Sequence, residues 1–134
     1  MSTTKATSNE VDTSIVTSRL SSKIITATRD LTAASGDVSY TGVGFTPTAI
    51  MIIAAIQNTT KINVAMADSS KTLTGLYAYA NNGFFIDALV DFEIDGLNKQ
   101  TFIIKSYDAD GFTLTWTKTG SPTGTASLKF LCFR

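Results

Sequence analysis

Apolar and polar residues alternate with period two along most of this chain from Lys23 onward, and that alternation predicts strands. Lys23–Thr28 is a short β-branched run. Gly36–Phe45 alternates through Val38, Tyr40, Val43 and Phe45. Thr48–Gln57 is almost continuously apolar, the mark of a strand buried on both faces. Helix competes there, but Pro47 before it and Asn58-Thr59-Thr60 after it give the length and punctuation of a strand. Lys61–Ala67 places Ile62, Val64 and Met66 on one face, and a short strand follows around Leu76–Tyr79. From Phe84 to Asp95 one half-buried strand is expected, with Ala88, Val90, Phe92 and Ile94 on its apolar side. Its other side carries Asp87, Leu89, Asp91, Glu93 and Asp95. Gln100–Tyr107 is the next strand, and Asp108-Ala109-Asp110-Gly111 is a hairpin turn. Phe112, Leu114 and Trp116 then share a face. Beyond the Gly/Pro loop Lys118–Thr125, so do Ala126, Leu128, Phe130 and Cys132.

This pattern amounts to about eight strands, with turn signals every 8 to 12 residues and no helix, and it predicts an all-β antiparallel sandwich or barrel, of which the sandwich (jelly-roll or similar) is the architecture expected. Residues 1–22 differ. They are rich in Ser and Thr and lack Gly, Pro and aromatic residues, with Val11, Ile15, Val16 and Leu20 as scattered apolar anchors. On composition the stretch fits either a disordered tail or an arm ordered by lying on a neighbour; the expectation taken is an extended N-terminal arm over 1–22 and a sandwich domain over 23–134.

Composition narrows the function classes. The 134 residues carry a formal net charge of zero and no basic stretch, so nucleic acid is not an expected partner. No window nears the roughly 18 consecutive apolar residues of a membrane span, and the first residues lack the apolar core of an export signal. A soluble chain made in a cytoplasm, with no membrane partner, is therefore expected. There is no His, which removes the commonest general base and metal ligand. Charged residues make up only 16% of a chain that is 43% hydrophobic, a surface suited to packed neighbours.

Each constellation that might carry chemistry has a structural reading beside it. Asp108 and Asp110 begin like a calcium loop, but Phe112, Thr113 and Leu114 replace the later ligands, so the segment reads as a turn. Asp87, Asp91, Glu93 and Asp95 read as a solvated sheet face or one side of an interface. Cys132 lies among apolar residues with no His to activate it, and reads as core. No Gly-x-Ser-x-Gly elbow and no phosphate-cradling loop occur, so no enzyme and no cofactor are expected. Among the aromatics, Trp116 reads as core, whereas Tyr77 and Tyr79 share a face beside Asn81-Asn82-Gly83 and are candidate surface rings for stacking on a glycan.

Two segments, "GDVSYTGVGFTPTAIMIIAA" and "DADGFTLTWTKTGSPTGTASLKFLCFR", resemble small β-sandwich virion proteins of tailed bacteriophages. The organisation is also similar to the H-type lectin fold. The resemblance implies a virion structural protein assembled in the host cytoplasm as a homotrimer. It further implies a capsid decoration (cement) role, in contact with the major capsid protein or other virion proteins. Its alternative is a tail fibre or tip module that recognises host surface glycans. No lectin sugar-binding residue is carried over onto this chain.

Overall fold

The computed structural model describes residues 21–79, 82–87 and 90–134. Among the described residues ten strands follow one another: β1 (Ser22–Asp30), β2 (Gly36–Thr41), β3 (Ala49–Ile56), β4 (Ile62–Ala67), β5 (Thr74–Tyr79), β6 (Asn82–Asp87), β7 (Val90–Asp95), β8 (Asn98–Asp108), β9 (Gly111–Thr119) and β10 (Thr125–Phe133). They form two antiparallel sheets, one of six strands in the order β1-β10-β3-β4-β5-β6 and one of four in the order β2-β9-β8-β7. The all-β sandwich expected from the alternation is the observed architecture. The arm anchors Val11, Ile15, Val16 and Leu20 lie outside the described residues.

The core is the layer between the sheets. The six-stranded sheet contributes Ile50, Ile52, Ala54 and Ile56 from β3, with Ala126, Leu128, Phe130 and Cys132 from β10. Facing them are Phe112, Leu114 and Trp116 of β9, Phe102 and Ile104 of β8, and Phe92 of β7. Two aromatic groups organise it. Phe92, Phe102 and Trp116 have ring centroids 4.8 to 6.0 Å apart, and Phe112 and Phe130 meet at 4.8 Å beside Tyr40. Trp116 and Cys132 are core residues as expected, and burial pushes the Cys132 thiol up to about 11, away from nucleophilic use.

Three sequence expectations need correction. First, the single strand expected over Phe84–Asp95 is two strands: β6 ends the six-stranded sheet and β7 edges the other, with the chain changing sheets between Asp87 and Val90. Ala88 and Leu89 carry an apolar run on into Val90 and offer no Gly or Pro, so the crossing leaves no turn signal.

Second, the acidic residues do not make one solvated strip. Asp91 is only 8% exposed. Its Oδ2 lies 3.4 Å from Lys99 Nζ, and its Oδ1 has no hydrogen-bond partner. Burial raises its carboxyl above the usual range, against the pull of Lys99.

Third, β3 is not buried on both faces of the single chain: Met51, Ile53 and Ala55 point outward, Ile53 being 48% exposed, and Ile62, Val64 and Met66 of β4, which share a face as expected, join them there. The inner face of β4 carries Asn63, Ala65 and Ala67 instead. β4 and β5 lie against β7, and the inward Ala65 and Ala67 of β4 are small. At Gly75 of β5 a Cβ would come within 2.7 Å of the Ala65 Cβ, so this approach tolerates no side chain.

Polar side chains fasten the open ends. Buried Lys61 donates from Nζ to the carbonyls of Glu93 and Ile94, each at 2.6 Å, where a register shift in the β7–β8 pairing lets both carbonyls turn toward it. Gln100, fully buried, donates from Nε2 to the carbonyls of Leu31 and Ala33 at 2.7 Å and accepts from Arg29 Nε at 3.1 Å. The Arg29 guanidinium lies 4.8 Å over the Trp116 ring. The β1–β2 connection is thus held onto the core by a side chain of β8.

Candidate interaction face

The two outer faces of the sandwich differ in chemistry. On the four-stranded sheet the outward positions are polar and paired with one another. Ser39 and Thr113 share a hydrogen bond of 2.9 Å, Thr115 donates to Asp37 Oδ1 at 2.6 Å, and Lys105 forms an ion pair with Asp37. Hydrogen bonds from Lys105 and Thr115 hold the Asp37 carboxyl below its usual range. Ile103 is the large exposed apolar side chain on that face among the described residues.

The outer face of the six-stranded sheet is the reverse. Antiparallel register aligns its outward residues in three rows across five strands: Ile24–Leu131–Met51–Met66–Thr74, Thr26–Lys129–Ile53–Val64–Leu76, and Thr28–Ser127–Ala55–Ile62–Ala78. Lys129 is the one charged residue in them. Ile24 is 60% exposed, Met66 56%, Ile53 48% and Ile62 46%, and Phe133 continues the face at 40%. Apolar rows so aligned form one continuous surface rather than scattered exposed side chains, and contiguous exposed apolar surface of this extent marks an interaction site. A groove of about 500 Å³ runs along it between Met51, Met66 and Phe133, and a second of about 290 Å³ lies between Thr26, Ile53 and Lys129.

The other candidate residues fall elsewhere. Tyr77 points inward and is 7% exposed, which corrects the expectation of a surface ring beside the Asn81–Gly83 turn. It pairs with Asn63 across β4 and β5, in phase with the core. The Tyr79 side chain lies outside what is described. Asp108 and Asp110 do form the turn between β8 and β9, and their carboxylates are taken up within the protein. Asp110 accepts from the backbone N–H groups of Gly42 (3.1 Å) and Gly44 (2.6 Å), and Asp108 from the hydroxyls of Ser106 and Thr113 (both 2.7 Å). Among the described residues no group of three or more His, Cys, Asp or Glu side chains is placed to hold a metal ion.

The outer face was only half legible. Ile62, Val64 and Met66 gave the alternation of β4, but the same pattern fits either phase. Only the pairing of β4 with β3 shows that Met51 and Ile53, hidden in a continuous apolar run, join them on the outside.

No family model, curated protein or solved structure matches this chain.

Proposed function

We propose that this protein is a structural subunit of a bacteriophage virion, most simply a capsid decoration protein that stabilises the shell through contacts between subunits. The observation that carries this reading is the contrast between the two outer faces. One is hydrogen-bonded and polar, as a solvated sheet is; the other presents an apolar surface that water alone covers poorly. A packing surface on a chain with no His and with its turn carboxylates tied up internally suits a building block better than a catalyst. The likeness of Gly36–Ala55 and Asp108–Arg134 to phage virion sandwiches supplies the class of assembly and the homotrimer. The glycan-binding alternative loses one of its two candidate rings, because buried Tyr77 offers no face for a sugar to stack on.

Immunogold labelling of tailed phage particles that carry this gene, with antibody raised against the folded chain, tests the reading. Regular label over the heads is the expected result. Label confined to tail tips would favour the fibre module, and particles without label would overturn the virion reading.

A further inference from the structure

We infer that the outer face of the six-stranded sheet is covered by a second copy of this chain. This rests in part on the assembly role above but makes a separate claim, namely which surface joins the copies. Area is the first argument. Ile24, Ile53, Ile62, Met66, Leu76 and Phe133 are 39% to 60% exposed. With ~200 Å² for a large side chain, they present on the order of 600 Å² of apolar surface. Met51, Val64 and Leu131 add to it, bringing the face close to the ~800 Å² per partner of a standard stable interface. The same area sits at the upper end of what a monomer leaves in water.

Charge and shape favour self-association over a foreign partner. Over these five strands the three rows hold one charged residue, Lys129, at the β10 position of the middle row; Asp68 lines the larger groove, Asp87 of β6 follows Thr74 in register, and the chain is neutral overall. A strongly charged partner would bury its charges against this face without counter-ions. Another copy offers an equally neutral apolar surface. The face is also uneven, with exposed Ile24 and Ile62 beside one groove between Met51, Met66 and Phe133 and another between Ile53 and Lys129. In a closed symmetric assembly the same patch on each copy can fill such grooves with side chains of its neighbour. The polar face of the small sheet, with its ion pair and threonine hydrogen bonds, stays toward solvent.

Sedimentation equilibrium of the full chain tests this at about 50 μM, a concentration that populates a stable interface of this size. The wild-type chain is expected to form a dimer or trimer. Ile53→Asp and Met66→Asp, placed in the middle of the face, are expected to weaken association by about a hundredfold or more. Ile103→Asp on the other outer face should leave it unchanged. Where an Asp variant fails to keep its far-ultraviolet circular dichroism spectrum, the milder Ile53→Thr/Met66→Thr double variant decides, with a smaller but measurable weakening expected.

A monomeric wild-type chain overturns the inference, as does equal loss of assembly in Ile103→Asp. So does a chain lacking residues 1–20 that no longer assembles, since the arm would then hold the copies together. The virion reading is judged separately by particle labelling. A monomer that labels heads defeats this inference alone, and an assembled protein absent from particles defeats only that reading.

Discussion

Single side chains decide how this sandwich is closed, and Gln100 is the clearest case. Its amide reaches from β8 to the carbonyls of Leu31 and Ala33 in the β1–β2 connection while Arg29 donates to its oxygen. Removing it leaves buried carbonyls without donors, which costs more than the lost hydrogen bonds alone. Gln100→Ala is expected to lower stability by about 3 kcal/mol, read as a reduced urea midpoint with an unchanged slope. A loss below about 0.5 kcal/mol would show that water replaces the amide without penalty.

Asp91 gives the opposite kind of residue, a carboxylate the fold holds at a cost. Its folded pKa is raised by burial, with Glu93 adding to the rise and Lys99 and Lys61 opposing it. Between the unfolded value near ~4 and the raised folded value, the folded state binds the extra proton. Stability from this group therefore falls as pH rises through that window, and the penalty is complete above the folded value. Asp91→Asn is expected to melt higher than wild type at pH 7, with the gap closing as pH is lowered toward ~4. The difference between the two proteins isolates Asp91 from Asp30, Asp37, Asp68 and Asp95, whose lowered values act in the other direction. A gap that stays constant with pH would contradict the assignment.

At the scale of strands, some parts of the fold are plain in the residue pattern and others are hidden for physical reasons. β9 and β10 were legible. Phe112, Leu114 and Trp116, and then Ala126, Leu128, Phe130 and Cys132, are apolar on one side and mixed on the other, so only one phase buries them. β4 was legible as a strand but not in its phase, because its outward side is the more apolar one. The β6–β7 crossing was illegible because it lacks turn residues. Tyr77 was misplaced by its nearness to a turn, although its phase along β5 sets it inward.

The turn between β8 and β9 shows why local punctuation still works. Gly111 has a φ of +156°, and a Cβ there would sit 1.9 Å from the Tyr40 carbonyl oxygen of the neighbouring β2. Backbone, rather than a flexible side chain, would have to move. Gly111→Ala is expected to cost at least about 2 kcal/mol in thermal or urea unfolding, with β2 loosened at its Tyr40–Thr41 end. Hydrogen exchange at the amides of Val43 and Gly44, which bond to Asp110, would rise first, and unchanged protection there would count against the close approach.

For the molecule as a whole, the decisive property is asymmetry. Both sheets bury their inner faces in one core, yet only one has an outer face built for water. Burial of the other would remove the exposed Ile, Met and Phe side chains from solvent at once, and it would do so with little charge to desolvate. In the proposed shell role, such a surface is what repeated copies would bury against one another.

Met66 allows a direct measurement, since it lies in the apolar rows and is 56% exposed in the single chain. Peptide mapping after brief peroxide treatment gives its rate of conversion to the sulfoxide, which follows exposure. If copies cover this face, Met66 of the assembled wild-type protein oxidises about tenfold or more slowly than Met66 in the dissociated Ile53→Asp variant. Equal and rapid oxidation in both would show the face open to water, contradicting its role as the packing surface.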